Sequence, residues 1–256
     1  MKHLDCFSGL GGFALAAHWA GIETIGFCEI DPFCQKVLAK NFPGLPIHND
    51  IHTLNGEDYV GIELITGGYP CQPFSVAGKQ RAYEDPRHLW PELRRVIAQA
   101  KPTWVVCENV PGHVRLGLDS VLHDLEDLGY SSQPFIIPSL ATGANHNRNR
   151  VYIVAYSAGD GCNGSKVTGS NGKTDVNDKK REDNHISLER RGCVWPKVEW
   201  ESYPVRARSI EPPALRVDDE LPDRMDRNRA IGNAIDPLIA YEIFTAIVKQ
   251  RGNRND

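Results

Sequence analysis

The sequence predicts an α/β domain, a sheet with helices on both faces, followed by an irregular inserted region and a closing helix. Three observations carry that prediction. Short apolar runs alternate with amphipathic stretches as far as Tyr156. Several of the apolar runs end in glycines, where an α/β sheet turns from strand to helix and places its sites. After Tyr156 the chain becomes rich in Gly, Ser and Asn with few apolar residues, and an apolar stretch returns only near the end.

Taken in order, Leu4 to Phe7 reads as a strand, Gly9-Leu10-Gly11-Gly12 as a turn, and Phe13 to about Ala20 as a helix stopped by Gly21. Thr24 to Ile30 reads as a second strand, and Pro32 suits the first turn of a helix. Glu63 to Thr66 is a strand ending at Gly67-Gly68, Leu89 to Ala100 a helix, and Trp104 to Cys107 a buried strand. Val114 to Leu128 reads as a helix closed by Gly129, Val151 to Ala155 as a further strand, and Leu238 to Lys249 as a last helix. The organisation expected is a catalytic α/β part over 1–157, an inserted region over 158–226, and a C-terminal segment over 227–256 that completes the first part.

Composition narrows the class. The 256 residues suffice for one sizeable core, and the net charge of −4 excludes a polycation. Nucleic-acid binding would need a local basic surface, and between Lys179 and Arg208 basic residues outnumber acids. No run approaches about 18 apolar residues, so no membrane span is expected. The N-terminus lacks a signal-peptide pattern, from which a cytoplasmic location is expected. Seven cysteines without a Cys-x-x-Cys pair argue against a disulfide framework or a metal site. Most of these cysteines are expected to be small buried hydrophobes.

Four segments carry chemistry. Phe7-Ser8-Gly9-Leu10-Gly11-Gly12 lies between a strand and a helix, where glycines admit a ligand close to the backbone. The spacing departs from the full G-x-G-x-x-G fingerprint, and a tight turn without ligand reads equally well. Glu29 at the next strand end strengthens the ligand reading, because an acid there accepts bonds from two ribose hydroxyls. Asp50-Ile51 could grip an adenine edge and face. In Gly67-Gly68-Tyr69-Pro70-Cys71-Gln72-Pro73-Phe74-Ser75, prolines stiffen the chain on both sides of a thiol past a strand end. A lone cysteine is ordinarily inert and buried, as Cys107 is expected to be; Cys71 in this loop is a candidate nucleophile. Glu108 follows the strand Trp104–Cys107, and a half-buried carboxyl there would hold or share a proton. Arg148 and Arg150, two apart in extended chain, face one side and could hold a phosphate or a base oxygen and help keep Cys71 ionised. Each has a bland alternative: a capping Glu, a solvated charge beside a strand.

In this order the segments resemble the DNA cytosine-5 methyltransferase family over nearly all of the chain except about residues 157–215. Phe7 to Gly12 is similar to the family's cofactor loop, Cys28-Glu29-Ile30-Asp31 to its ribose-holding segment, and Asn49-Asp50-Ile51 to its adenine-side contact. Pro70-Cys71-Gln72 resembles the nucleophile motif, Glu108-Asn109-Val110 the base-binding motif, and Arg148-Asn149-Arg150 the paired arginines. Ala230-Ile231-Gly232-Asn233-Ala234 with Pro237 resembles the C-terminal motif that completes the cofactor pocket. Two departures stand out: Asn145-His146-Asn147 where the family usually has Gln, and Asp236 at a position more often apolar.

The resemblance implies a Rossmann-like S-adenosylmethionine-dependent methyltransferase sheet with an inserted target-recognition region. It implies cofactor contacts from Phe7 to Gly12, Glu29, Ile30, Asp50, Ile51, Gly68, Pro70, Leu89, Asn233 and Ala234, with no metal. Cys71 would add to carbon 6 of a flipped-out cytosine, Glu108 would hold ring nitrogen 3, Arg150 the base oxygen, and Arg148 the thiol's neighbourhood or backbone. Gln72 and Ser75 are candidates for the flipped nucleotide, Lys79 and Arg81 for phosphates, and Arg190, Arg191, Arg206 and Arg208 for DNA. The partners expected are double-stranded DNA and a separate restriction endonuclease, in a restriction-modification or phage-protection setting, with the chain acting as a monomer. Two rival readings remain: an RNA methyltransferase of the same chemistry, distinguished by the acceptor it methylates, and a binding protein that has lost catalysis, against which Cys71, Glu108 and the glycine loop all stand.

Overall fold

The computed structural model describes residues 1–70, 89–143, 148–157, 230 and 233–252. Seven strands form one sheet: β1 (Lys2–Cys6), β2 (Glu23–Cys28), β3 (Ile47–His48), β4 (Leu64–Gly67), β5 (Trp104–Asn109), β6 (Ser131–Pro138) and β7 (Asn149–Tyr156), in the order β3-β2-β1-β4-β5-β7-β6. The first five run parallel, and β7 lies antiparallel between β5 and β6. The helices are α1 (Gly12–Trp19), α2 (Pro32–Asn41), α3 (Trp90–Ala100), α4 (His113–Leu116), α5 (Leu118–Asp127) and α6 (Pro237–Gly252).

Strand alternation sorts side chains to two faces. Val105, Cys107, Val151 and Ile153 join Leu93, Val96 and Ile97 of α3 and Val121 and Leu125 of α5. Their neighbours Trp104, Val106, Tyr152 and Val154 join Phe13 of α1 and Ile243, Phe244 and Ile247 of α6. Helices therefore cover both faces, as expected. The last helix packs on α1: Phe244 lies on Phe13 at 6.0 Å, and Tyr241 meets Trp19 edge-on at 6.2 Å. No helix among the described residues is long and apolar enough to cross a membrane.

Several boundaries differ from the sequence reading. Phe7 leaves β1 because its φ is +54°, in the left-handed region that L side chains avoid. Glu108 does not follow its strand but belongs to it: β5 continues through Asn109 because β7 pairs on, Glu108 opposite Tyr152 and Asn109 opposite Val151, after β4 has ended. The expected helix over 114–128 is two helices, broken at Gly117, which has an extended φ of −170°. Strand β6 carries no clean alternation and was not read as a strand. It holds Pro134, which an edge strand tolerates because one side needs no ladder donors.

Beneath the glycine turn the sheet interior is polar. The Thr66 hydroxyl donates to Asp5 Oδ1 at 2.9 Å and lies 2.8 Å from His3 Nε2. Burial drives the His3 imidazole down to about 3, so it stays neutral, and pushes the Asp5 carboxyl well above the usual carboxylate range. The Ser8 hydroxyl donates to the Asp5 carbonyl at 2.6 Å, which folds the chain sharply after β1.

Candidate active site

The carboxyl ends of β1, β2, β4 and β5 open onto a cavity of about 510 Å³, the position where an open α/β sheet offers its crevice. One side is built by β1 and β2. Glu29 is buried at 9% exposure. Its Oε2 accepts the Gly9 N–H at 2.7 Å and its Oε1 the Asp31 N–H at 2.8 Å. Each oxygen keeps a second lone pair, the requirement for gripping two vicinal hydroxyls. Phe7, Gly9 and Glu29 face the cavity, and Ile30, 71% exposed, presents an apolar side chain beside it. Asp31 caps α2 by accepting from the Phe33 N–H at 2.8 Å, which sets Glu29 and Ile30 at a fixed turn.

Asp50 and Ile51 form the next wall. Asp50 Oδ1 accepts the His52 N–H at 2.9 Å and lies 2.8 Å from its ring Nδ1, contacts that hold the Asp50 carboxyl below its ordinary value. Arg95, which sequence reasoning missed, anchors this wall from α3: Nη2 donates to the Ile51 carbonyl at 2.7 Å and Nη1 to that of Leu54 at 2.9 Å. Nothing in the local sequence signals it, because the contact crosses from one end of the sheet's layer to another.

Gly68, Pro70 and Leu89 line the opposite side together with Glu108, Arg148 and Arg150. Glu108 Oε1 receives Arg150 Nε at 2.8 Å. Burial pushes the Glu108 carboxyl up to about 7, against the two guanidiniums of Arg150 and Arg148, which pull it down. Arg148, its own charge disfavoured chiefly by burial, donates from Nη2 to the Ala234 carbonyl at 2.9 Å. Gly68 leaves this corner open, since a Cβ there would stand 3.5 Å from Glu108 Oε2. Asn233 and Ala230 reach the cavity from the C-terminal segment.

Of the residues singled out in the sequence, Ser8, Leu10, Gly11, Gly12 and Ala234 frame the cavity without lining it. Gly11 sits at φ +81° against Phe42 and Leu38, and Gly12 lets Ile235 pack on the start of α1. Asp236 has a definite job: its Oδ1 accepts the Leu238 N–H at 3.0 Å at the start of α6, and its Oδ2 accepts the Thr142 hydroxyl at 3.1 Å. Cys71, Gln72, Ser75, Lys79, Arg81, Asn145, His146, Asn147, Arg190, Arg191, Arg206, Arg208, Ile231 and Gly232 lie outside the described residues. Besides Arg95, sequence reasoning passed over Cys34 and His52 in the cavity wall. It quoted Tyr69 and Asn109 without giving either a task.

The strand order, with one antiparallel strand inserted beside an otherwise parallel sheet, and a cavity at the strand ends mark the fold shared with solved DNA methyltransferases. The model of the family described as C-5 cytosine-specific DNA methylase matches residues 1–194, and the chain belongs to that family. It is 35% identical over 159 residues to the type II methyltransferase M.HgiBI of Herpetosiphon aurantiacus, covering 60% of this chain and 36% of that protein. To M.HhaI of Haemophilus parahaemolyticus it is 32% identical over 161 residues, covering 61% of this chain and 49% of that protein. A solved DNA modification methyltransferase encoded within an E. coli prophage superposes with a TM-score of 0.54 at 28% identity, over 61% of this chain and 47% of the other. The chain thus spans less than half the length of these relatives.

The family implies S-adenosylmethionine as methyl donor. The residues present fit a nucleoside: a buried carboxylate at Glu29, apolar walls from Phe7, Ile30 and Ile51, and a second acid at Asp50.

Proposed function

We propose that the chain is a DNA (cytosine-5-)-methyltransferase, acting on a flipped-out cytosine within a specific sequence of double-stranded DNA. The observation that carries this reading is a buried acid, Glu108, held 2.8 Å from Arg150 and set beside Gly68–Pro70, the segment that leads directly into Cys71. Family membership supports the same chemistry.

Cytosine carbon 5 is a weak nucleophile, and the residues act to change that. The Cys71 thiolate adds to carbon 6; a carbon–sulfur bond forms and the 5,6 double bond gives its electron pair to the ring. Glu108, protonated near neutral pH, holds the proton at ring nitrogen 3 and takes up the developing charge. Arg150 bonds the base oxygen while orienting Glu108, and Arg148 braces the Ala234 segment behind the cofactor. Glu29, Asp50, Ile30 and Phe7 would hold S-adenosylmethionine, which when bound would supply an electrophilic sulfonium methyl group for carbon 5 and leave as S-adenosylhomocysteine. Loss of the carbon 5 proton to a water molecule restores the double bond and expels Cys71 as thiolate. The cytosine must leave the helix stack for this geometry.

Residues 158–226 are assigned to target recognition, with Arg190, Arg191, Arg206 and Arg208 on the DNA and Lys79 and Arg81 on phosphates. A restriction-modification or phage-protection setting, with a separate endonuclease, accords with the type II relatives. The test is transfer of labelled methyl to duplex DNA and to transfer RNA by the wild type and by Cys71→Ala. Transfer to DNA lost in the variant is the expected result. Transfer by the variant, or to RNA alone, overturns the reading.

A further inference from the structure

The hydrogen-bonded ladder between β4 and β5 ends at Gly67 and Cys107. Gly68, Tyr69 and Pro70 nevertheless stay against Glu108 and Asn109 at the cavity. Side chains take over from the ladder. Asn109 Nδ2 donates to the Tyr69 carbonyl at 3.1 Å, and Asn109 Oδ1 accepts the Val110 N–H at 2.8 Å, so the amide is oriented at both ends.

The Tyr69 side chain is itself buried, at 4% exposure. Its ring packs on Trp90 at 5.2 Å and meets His113 edge-on at 5.5 Å. Its hydroxyl lies 2.8 Å from His113 Nε2, and His113 is 5% exposed at the start of α4. Trp90 is fixed in turn by donating from Nε1 to Asp124 Oδ2 at 2.7 Å. The residue two before Cys71 is thereby tied to β5, α3, α4 and, through Trp90, α5. A phenyl ring would fill the same space. The hydroxyl and imidazole add direction, because a buried hydrogen bond is narrow in geometry and costly to leave unmade.

We infer that Tyr69 and His113 are a positioning pair that sets where Pro70 leaves β4 relative to Glu108, and with it the approach of Cys71 to the base. The inference rests on Cys71 being the nucleophile; the pair acts as positioning residues, through the chain at Pro70. Its effect falls mainly on formation of the carbon–sulfur bond, since the Glu29 and Asp50 walls of the cavity are built from other elements.

The test uses the full chain, S-adenosylmethionine, and duplex DNA polymerised with 5-fluorocytosine in place of cytosine, on which the Cys71 adduct cannot be resolved. The rate of adduct formation is compared for wild type, Tyr69→Phe, His113→Leu, His113→Gln and Cys71→Ala. Cofactor affinity by calorimetry and the thermal midpoint are measured on the same samples. Tyr69→Phe and His113→Leu are expected to form the adduct on the order of tenfold more slowly, with cofactor affinity changed far less than the rate. His113→Gln, which keeps a donor or acceptor for the hydroxyl, is expected to regain most of the rate. An unchanged rate in Tyr69→Phe overturns the pair alone. So does a parallel loss of rate, affinity and midpoint that His113→Gln fails to rescue, which marks a merely structural contact. Absence of adduct in the wild type, or adduct in Cys71→Ala, overturns the nucleophile and the pair together.

Discussion

Glu108 Oε1 and Arg150 Nε meet at 2.8 Å across two antiparallel strands, Arg150 lying diagonally from Glu108 because Tyr152 is its direct partner. The pair lies in a corner where burial outweighs the neighbouring guanidinium: the Glu108 carboxyl titrates at about 7, above its ordinary 4.5. Two consequences follow for pH. Between those values the folded chain binds a proton that the unfolded chain releases. Stability contributed by that proton is complete below about 4.5, falls as pH rises through about 7, and is level beyond. The span is on the order of 3 kcal/mol at most. Urea unfolding of Glu108→Gln at several pH values is expected to lack this slope. For catalysis the protonated acid is the competent form, so kcat/KM for methyl transfer is expected to fall above pH about 7. Glu108→Gln lowers kcat and removes that falling limb; a limb that persists in the variant belongs to another group.

Glu29 is expected to govern cofactor affinity. Both its oxygens receive backbone N–H groups, from Gly9 and Asp31. In Glu29→Gln the amide NH2 faces one of those donors, and a charge-assisted bond is lost at the other. Calorimetry is expected to give a weakening of S-adenosylmethionine binding by about ten- to a hundredfold. Binding within twofold or so of the wild type would remove Glu29 from the cradle.

Gly12 makes room for the C-terminal segment. A Cβ at this position would stand 2.6 Å from Ile235 Cγ1. Gly12→Ala is expected to destabilise the fold by about 1–3 kcal/mol in chemical unfolding. It also shifts Asn233 away from the cavity, with a loss of cofactor affinity. Gly12→Ala combined with Ile235→Ala removes the clash and is expected to recover most of the stability; additive losses would show that the two residues do not meet in this way.

Much of the architecture was legible because local chemistry repeats it. Gly21 at φ +71° follows α1 at the expected helix stop, Pro32 opens α2, and the apolar runs at Trp104 and Val151 are interior strands. What misled was tertiary in origin. Strand β5 runs two residues past its apolar core because β7 pairs with it, and β6 has a ladder although its sequence, with Pro134 inside, does not advertise one. The residues facing ligand at Glu29, Asp50 and Glu108 were readable as acids at or near strand ends. Arg95 and the pairing of Tyr69 with His113 were not, since their partners lie 44 residues away in the chain.

The sequence by itself determined which side chains are available for chemistry: the Pro70-Cys71-Gln72 thiol, the Glu108 acid, the two arginines, and the glycine turn with its distant acid. These are properties of residue type and of spacing along one chain. Only the tertiary structure decided that burial pushes the Glu108 carboxyl up to about 7 in spite of the Arg150 guanidinium beside it. It also decided that Arg148 holds the Ala234 carbonyl, and that Asp236, an oddity in the sequence, caps α6 while gripping Thr142. Burial and the meeting of distant segments depend on how the whole sheet excludes water, and no local pattern encodes that.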